Sequence, residues 1–578
     1  MSPLSQRAIT RCAIVVLAVS ACSHDTTGPG TSFATNPCSI TGTLQLAAAQ
    51  GARADCSNGG TTVTLAGSGA SYLVLPQFAT SLVPNTAVSY RLWSGTSIAA
   101  AVAPSSNVLS ASLRRPNFMQ MAFDGMLRSR ARANVGKGVW RAANIQGLAP
   151  SRSIEATVAP PAIGSLRSFR VIADSSGSTF KSVGARLAFA GNSVLIYVDT
   201  LAPANGFTPS QLTAFGTLFD QTLYPIDTAA FGPPSDIDQN GSVIMLMSPV
   251  VNALSPSSKC ATQGFVAGFF EEEDLGAGAG DPNSNHGEIF YSIVPDPSAV
   301  SSCAHTADDV GFSVPATFMH ELQHLISFSQ HFVIHRGQPE FGWLDEGMSI
   351  VAEELGSLYY EQKCPGTACR TNPAQIFPDS SQGFVSNFLF DSYAYALRPD
   401  TASVTLHADS DGGFAWRGGD WLLARWLGDQ FGNNVFRRMD ESSFTGVANI
   451  EATTGQSFPS LFANFGVALF ADSLPNLPRT TSPPANRFVT RNVRQLWARV
   501  FVTSPGDPNI PFAFPIRVVA ITSDSSAHNM VPGTSSYYRI DTPTAASTVT
   551  IQFATPTGSP LSASLRPQLS IFRLPPGQ

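Results

Sequence analysis

Charge is scarce in this sequence: only 13 % of its 578 residues are Asp, Glu, Lys or Arg. The formal net charge of −6 is thinly spread, so the chain lacks the basic footprint of a nucleic-acid binder. Long hydrophobic runs are missing too. After the N-terminus none reaches the ~20 apolar residues that a membrane-spanning helix requires. No internal repeat is found, which excludes a solenoid or propeller. What the chain has instead is abundant Gly, Pro, Ser, Thr and Ala, the composition of a loop- and strand-rich exported protein. Its length exceeds one compact core and points to three or four domains.

The N-terminus reads as a processing signal. Arg7 and Arg11 form a short basic region, and Cys12 to Ala21 an apolar stretch too short to span a bilayer. Leu17-Ala18-Val19-Ser20-Ala21-Cys22 resembles a bacterial lipobox, which implies cleavage at Cys22 and its acylation; the alternative is ordinary secretion with a free Cys22. Ser23 follows without an aspartate retention signal, so an outer-membrane or cell-surface lipoprotein of a bacterium is expected. Residues 1–21 are then the signal and 22–37 a flexible tether. Six further cysteines remain, and in an oxidising compartment proximity favours Cys38–Cys56, Cys260–Cys303 and Cys364–Cys369.

Short alternating runs separated by Gly, Asn and Pro make 38–110 an N-terminal β-domain. Residues 111–164 are a connector in which Met119 to Ala133 is helix-compatible. Its basic residues (Arg114, Arg115, Arg128, Arg130, Arg132, Lys137, Arg141) are either a solvated face or the end of a cleavable pro-segment. The catalytic unit spans 165–480. It opens with a hairpin, Ser182–Phe189 and Ser193–Val198, followed by an amphipathic helix from Pro209 to Tyr224. Val243–Met247 and Glu288–Ile293 read as strands, Trp421–Phe431 and Phe458–Phe470 as helices. From 487 to 578 strand patterns return, read as a C-terminal β-sandwich.

The chemistry centres on His320-Glu321-Leu322-Gln323-His324 inside an apolar helical run. Histidines four apart project from one helix face, so both imidazoles reach one Zn²⁺ while Glu321 leans over the open position as general base. Burying three such groups on an apolar helix without a metal is costly. A catalytic zinc needs a third protein ligand, and Glu346 in Trp343-Leu344-Asp345-Glu346-Gly347 supplies it from a second helix. Asp345 is the weaker candidate, being suited to the helix start. Zinc brings the pKa of a bound water toward ~7, and Glu321 takes and returns the proton as a peptide bond is hydrolysed. Glu353, seven residues past Glu346, is the candidate to orient a ligating histidine.

This arrangement resembles the gluzincin metallopeptidases. Asp236-Ile237-Asp238-Gln239-Asn240-Gly241, Gly268-Phe269-Phe270, Asp274-Leu275, Asn285, Glu288, Phe290 and Tyr291 precede the zinc helix, and the series is similar to the hyicolysin-like family over roughly 165–475. The resemblance implies an α+β fold, a thermolysin-like two-lobed unit with one zinc in the cleft, flanked here by the two β-domains. It implies endopeptidase activity on polypeptide, with Glu288–Ile293 near the sheet edge where substrate adds as a strand. Tyr393, Tyr395 or His407 is the implied transition-state donor from the second lobe. Asp236, Asp238 and Asn240 resemble half of a calcium loop, but Met247 stands where the closing glutamate belongs, so an EF-hand is excluded; a polar turn or a Ca²⁺ held with outside help remain. The rivals are an aminopeptidase and a surface-binding lipoprotein with a non-catalytic zinc. Membrane contact is expected only through the lipid; oligomeric state has no signal.

Overall fold

A computed structural model describes residues 34–38, 43–67, 69–81, 86–94, 118–141, 161–277, 281–364, 369–370, 377–405, 413–480, 482–521, 527–543 and 548–578. The signal segment, Cys22 and His407 lie outside the described residues. The fold mixes helices and sheets, as expected of an α+β protein, and no described helix is long and apolar enough to cross a membrane. The three expected cysteine pairs are joined, with Cα–Cα distances of 4.8, 6.3 and 6.1 Å.

The two β-domains expected at the ends are one sandwich. In its six-stranded sheet the C-terminal strand Pro567–Arg573 lies between Gly51–Asp55 and Ser71–Phe78 and is antiparallel to both. In the four-stranded sheet Thr548–Ala554 lies between Thr62–Ala66 and Val88–Ser94. The physical reason is edge satisfaction: the strands of each end leave open edges that the other end fills. Leu65, Val74, Phe78, Ile551, Phe553 and Ile571 share the buried interior. The C-terminal part also starts later than expected, because 493–503 is the helix Val493–Thr503.

The central sheet has the order Gly268–Phe270, Ile289–Ser292, Val243–Met247, Val194–Asp199, Phe180–Ala190, Leu166–Ile172. Val194–Asp199, Val243–Met247 and Ile289–Ser292 run parallel and are fully or largely buried, which explains their near-continuous apolar character. Ile289–Ser292 lies near the edge, as expected, with Gly268–Phe270 one strand further out forming the edge itself. The expected helix from Pro209 to Tyr224 is regular to Leu218, then widens to a π-helical turn at Phe219–Leu223 before Tyr224–Phe231.

Against the edge strand packs the helix Ala307–Phe328, here called the metal helix. Thr306 caps it: its hydroxyl accepts from the Asp309 amide (3.1 Å), and the Asp309 carboxylate accepts from the Thr306 amide (2.7 Å). Phe318 wedges its ring between Phe219 and Phe290, at 4.5 and 5.5 Å, fixing the helix on the sheet. On the other side lie Gly342–Lys363 (the glutamate helix), Gln382–Ala396 and Phe414–Phe431.

Close helix approach here depends on glycine. A Cβ on Gly347 would stand 2.7 Å from the Asp420 carbonyl oxygen, and one on Gly418 would stand 2.0 Å from Asp391 backbone atoms. The glutamate helix thus touches Phe414–Phe431 through the residue next to Glu346.

Candidate metal centre

His320 and His324 emerge one helical turn apart and both are buried. Their Nδ1 atoms are held by carboxylates: His320 by Glu353 Oε1 at 2.8 Å, His324 by Asp345 Oδ2 at 2.8 Å. With each Nδ1 paired to a carboxylate, the two Nε2 atoms face each other at 3.2 Å. Glu346 closes the triangle, with carboxylate oxygens 3.5 Å from His320 Nε2 and 3.7 Å from His324 Nε2. Ligand atoms that share a tetrahedral zinc at ~2.0–2.1 Å sit roughly 3.3–3.4 Å apart. Two imidazole nitrogens and a carboxylate at about that spacing can share one cation, so the donor set fits a zinc-sized ion.

Glu321 sits beside this triangle with no exposed surface. Its Oε2 accepts from the Phe270 amide (3.0 Å) and from Arg128 Nη2 (2.9 Å), while Oε1 is buried without a partner. Burial pushes its carboxyl up to about 8, with Asp124 adding and Arg128 and His320 opposing. Burial acts on Glu346 in the same sense, but Arg417 and the two histidines outweigh it and hold that carboxylate well below its ordinary range.

Several residues at the site were not anticipated. Asp345 is one, since it holds His324 rather than merely starting a helix. Asn387 donates to both oxygens of Glu353, at 3.0 and 2.8 Å, and so locks the partner of His320. Arg417, from Phe414–Phe431, places Nη2 2.8 Å from Glu346 Oε2 and 3.2 Å from His320 Nε2. Nothing in local sequence flags Arg417; it arrives through the Gly347 and Gly418 contacts.

The solvated-face reading of the connector's basic residues fails at Arg128, while Lys137 and Arg141 are exposed. Phe118–Gly136 is a helix, and its Arg128 is 4 % exposed and ion-paired with both Glu272 and Glu321. Among the implied transition-state donors, Tyr393 spends its hydroxyl on the Phe512 backbone, donating to the carbonyl at 2.7 Å and accepting from the amide at 3.0 Å. Tyr395 is fully buried against Gly419 and does not line the site cavity. That cavity, about 610 Å³, is bordered by Gln120, His320, Glu321, Glu353, Asn387 and Arg417.

A second cluster lies at the far end of the sheet. Asp236, Asp238 and Glu288 bring carboxylate oxygens within 4.8 Å of one another. Glu288 is 1 % exposed; its Oε1 accepts from Ser235 (2.6 Å) and the Ile237 amide (3.1 Å), and its Oε2 is unpartnered. Asn240 instead spends its Oδ1 on the Ser242 amide at 2.6 Å.

The chain is similar to a neutral metalloprotease. That relative, ShpI of Staphylococcus hyicus, is 26 % identical over 250 residues, 42 % of this chain and 52 % of the relative. The likeness therefore spans about half the length of the relative. Within this chain His320, His324 and Glu346 form a candidate metal site. No family model matches the chain.

Proposed function

We propose that the chain is a zinc-dependent metalloendopeptidase with Glu321 as general base. The observation that carries this reading is the three-donor set of His320, His324 and Glu346 beside a buried, unspent oxygen of Glu321. A purely structural ion has no use for such a carboxylate, so the binding-lipoprotein alternative leaves Glu321 unexplained.

His320, His324 and Glu346 would hold the zinc, which when bound would supply Lewis acidity and lower the pKa of a water toward ~7. Glu321 accepts the proton of the attacking water through Oε1. It then gives that proton to the amine nitrogen that leaves as the C–N bond breaks. Glu353 and Asp345 keep the two imidazoles in one tautomer with Nε2 inward. We assign the donor for the developing oxyanion to Arg417, in place of Tyr393, Tyr395 or His407, because its guanidinium borders both Glu346 and the cavity. The open edge of Gly268–Phe270 receives substrate as an added strand. This suits an internal segment of polypeptide and favours an endopeptidase over an aminopeptidase.

On the same reading the catalytic unit is thermolysin-like in its two lobes and hyicolysin-like in kind. The string ending at Cys22 carries it out of the cell on a lipid anchor. Calcium at Asp236 and Asp238 is favoured by the neighbouring Glu288, which has a buried oxygen without a partner.

The test is cleavage of unfolded casein by zinc-loaded protein, intact and after brief trypsin treatment. Glu321→Gln is expected to retain one zinc and lose activity by about 10²–10⁴-fold, the range for a general base. A fully active Glu321→Gln variant, or wild-type activity indifferent to chelator, would sink the proposal.

A further inference from the structure

The helix Phe118–Gly136 lies in the cleft. Gln120, Asp124 and Arg128 are spaced four apart, so they line one face of it, and each meets a different part of the catalytic apparatus.

Gln120 meets the substrate strand. Its side-chain amide donates to the Gly268 carbonyl (2.7 Å) and accepts from the Ala267 amide (2.8 Å). One amide thus fills a donor and an acceptor position at the open edge, as a substrate peptide unit would. Arg128 meets the base. Its guanidinium is paired with Glu321 at 2.9 Å and with Glu272, so the carboxylate that must accept a proton is tied to a permanent cation. Asp124 meets the metal site. It has no exposed surface, and it brings an oxygen within 4.8 Å of both His320 and Glu321. Gln120 donates to its Oδ1 at 2.8 Å, and its Oδ2 is buried with no partner.

A carboxylate costs free energy to bury unless something positive receives it. The Asp124 carboxylate, close to His320 and with one oxygen unpartnered, has that receiver if a zinc ion is shared. We propose that Asp124 is a fourth ligand of the metal in the intact chain, and that Phe118–Gly136 holds the peptidase latent by filling the water position, the base and the substrate edge together. The proposal rests on the zinc-peptidase reading above. A site with four protein ligands is closed to water and therefore inactive. Lys137 and Arg141, exposed just past the helix, are where a protease with basic specificity can begin its removal. The β-strands that precede the helix would stay with the protein after such a cut, because they pair with C-terminal strands on both sides of the sandwich.

The test compares the full exported chain from Ser23 with its Asp124→Ala and Asp124→Asn variants, all loaded with Co²⁺ in place of zinc. The visible absorption of the bound cobalt reports its coordination, and acetohydroxamate probes for an open position. Wild type is expected to show a spectrum unmoved by millimolar acetohydroxamate. Both variants should shift and bind it at least ten-fold more tightly, with a matching rise in casein cleavage. Asp124→Asn keeps the shape of the side chain and guards against a folding defect in Asp124→Ala. Equal hydroxamate affinity in all three proteins overturns the latency proposal while leaving the peptidase reading intact. Failure of all three to bind cobalt overturns the peptidase reading, and the latency proposal with it.

Discussion

Two helices border the same cleft and are held there by different forces. The glutamate helix, Gly342–Lys363, buries Leu344, Met348, Ile350, Val351 and Ala352 and touches its neighbours through glycine. Phe118–Gly136 buries Met121, Phe123, Leu127, Ala131 and Val135 and adds to them a row of polar anchors: Gln120, Asp124, Arg128, Arg130 and Arg132. Apolar packing is lost when a segment departs, whereas charged anchors regain much of their energy from water. On the latency proposal the first helix stays with the fold and the second, tied by the larger share of charged contacts, can be released. Substitutions can break or sharpen that contrast.

The largest effect belongs to the permanent side. His320→Ala or Glu346→Ala, each made in an Asp124→Ala background, leaves two of the three donors, and zinc retained after gel filtration, measured by elemental analysis, should fall from one per chain to near zero. Retention of a full equivalent by Glu346→Ala would mean that the ligand set is misassigned. Next come the carboxylates that orient the histidines. Glu353→Gln and Asp345→Asn should each weaken zinc affinity by about 10–100-fold. Asn387→Ala, one contact further out, should do less, and competition with a fluorescent chelator ranks all three.

How much of this was legible in the sequence follows from the range of the interactions. His320, Glu321 and His324 are neighbours on one helix, so periodicity alone unites them. Glu346 needed only the knowledge that zinc wants a third donor. Glu353 returned to the Glu346 face after seven residues, and the structure sets it on His320. Asp345 is legible only as a weaker ligand or a helix-start charge, because adjacent residues on a helix ordinarily diverge, yet His324 lies within its reach. The arginines of Phe118–Gly136 were weighed as solvent-facing because charge on a helix usually is. The repeat Gln120, Asp124, Arg128 was visible as spacing but silent as to which surface it would meet. The sandwich was the least legible part. Its strands were readable one by one, but Ser71–Phe78 and Pro567–Arg573 are almost five hundred residues apart, and no local pattern says that they pair.

A third prediction probes the glycine contact. Gly347→Ala sets a methyl group 2.7 Å from the Asp420 carbonyl, so the glutamate helix must shift. Overpacking of this kind costs about 1–3 kcal/mol. A drop in Tm should accompany a lower kcat, since the same contact brings Arg417 to Glu346. An unchanged Tm would show that the two helices have room that the fold does not display.

The smallest effect in stability should be the most telling in kinetics. Arg130 is half-buried and pairs with Glu271, which is almost fully buried. Burial already pushes the Glu271 carboxyl up to about 7, with Arg130 opposing, so it can take a proton when Arg130 is replaced. Arg130→Gln should therefore cost less than about 1 kcal/mol of global stability, the scale of partly exposed ion pairs. It also removes an anchor to the Gly177 carbonyl, at 2.5 Å. If Phe118–Gly136 is releasable, loss of these two contacts should accelerate trypsin cleavage at Lys137 and Arg141 several-fold, with Tm nearly fixed. Mass spectrometry of timed digests gives both the rate and the bond cut. Were the helix as permanent as Gly342–Lys363, cleavage would instead track global unfolding, and a variant with unchanged Tm would be cut no faster than wild type.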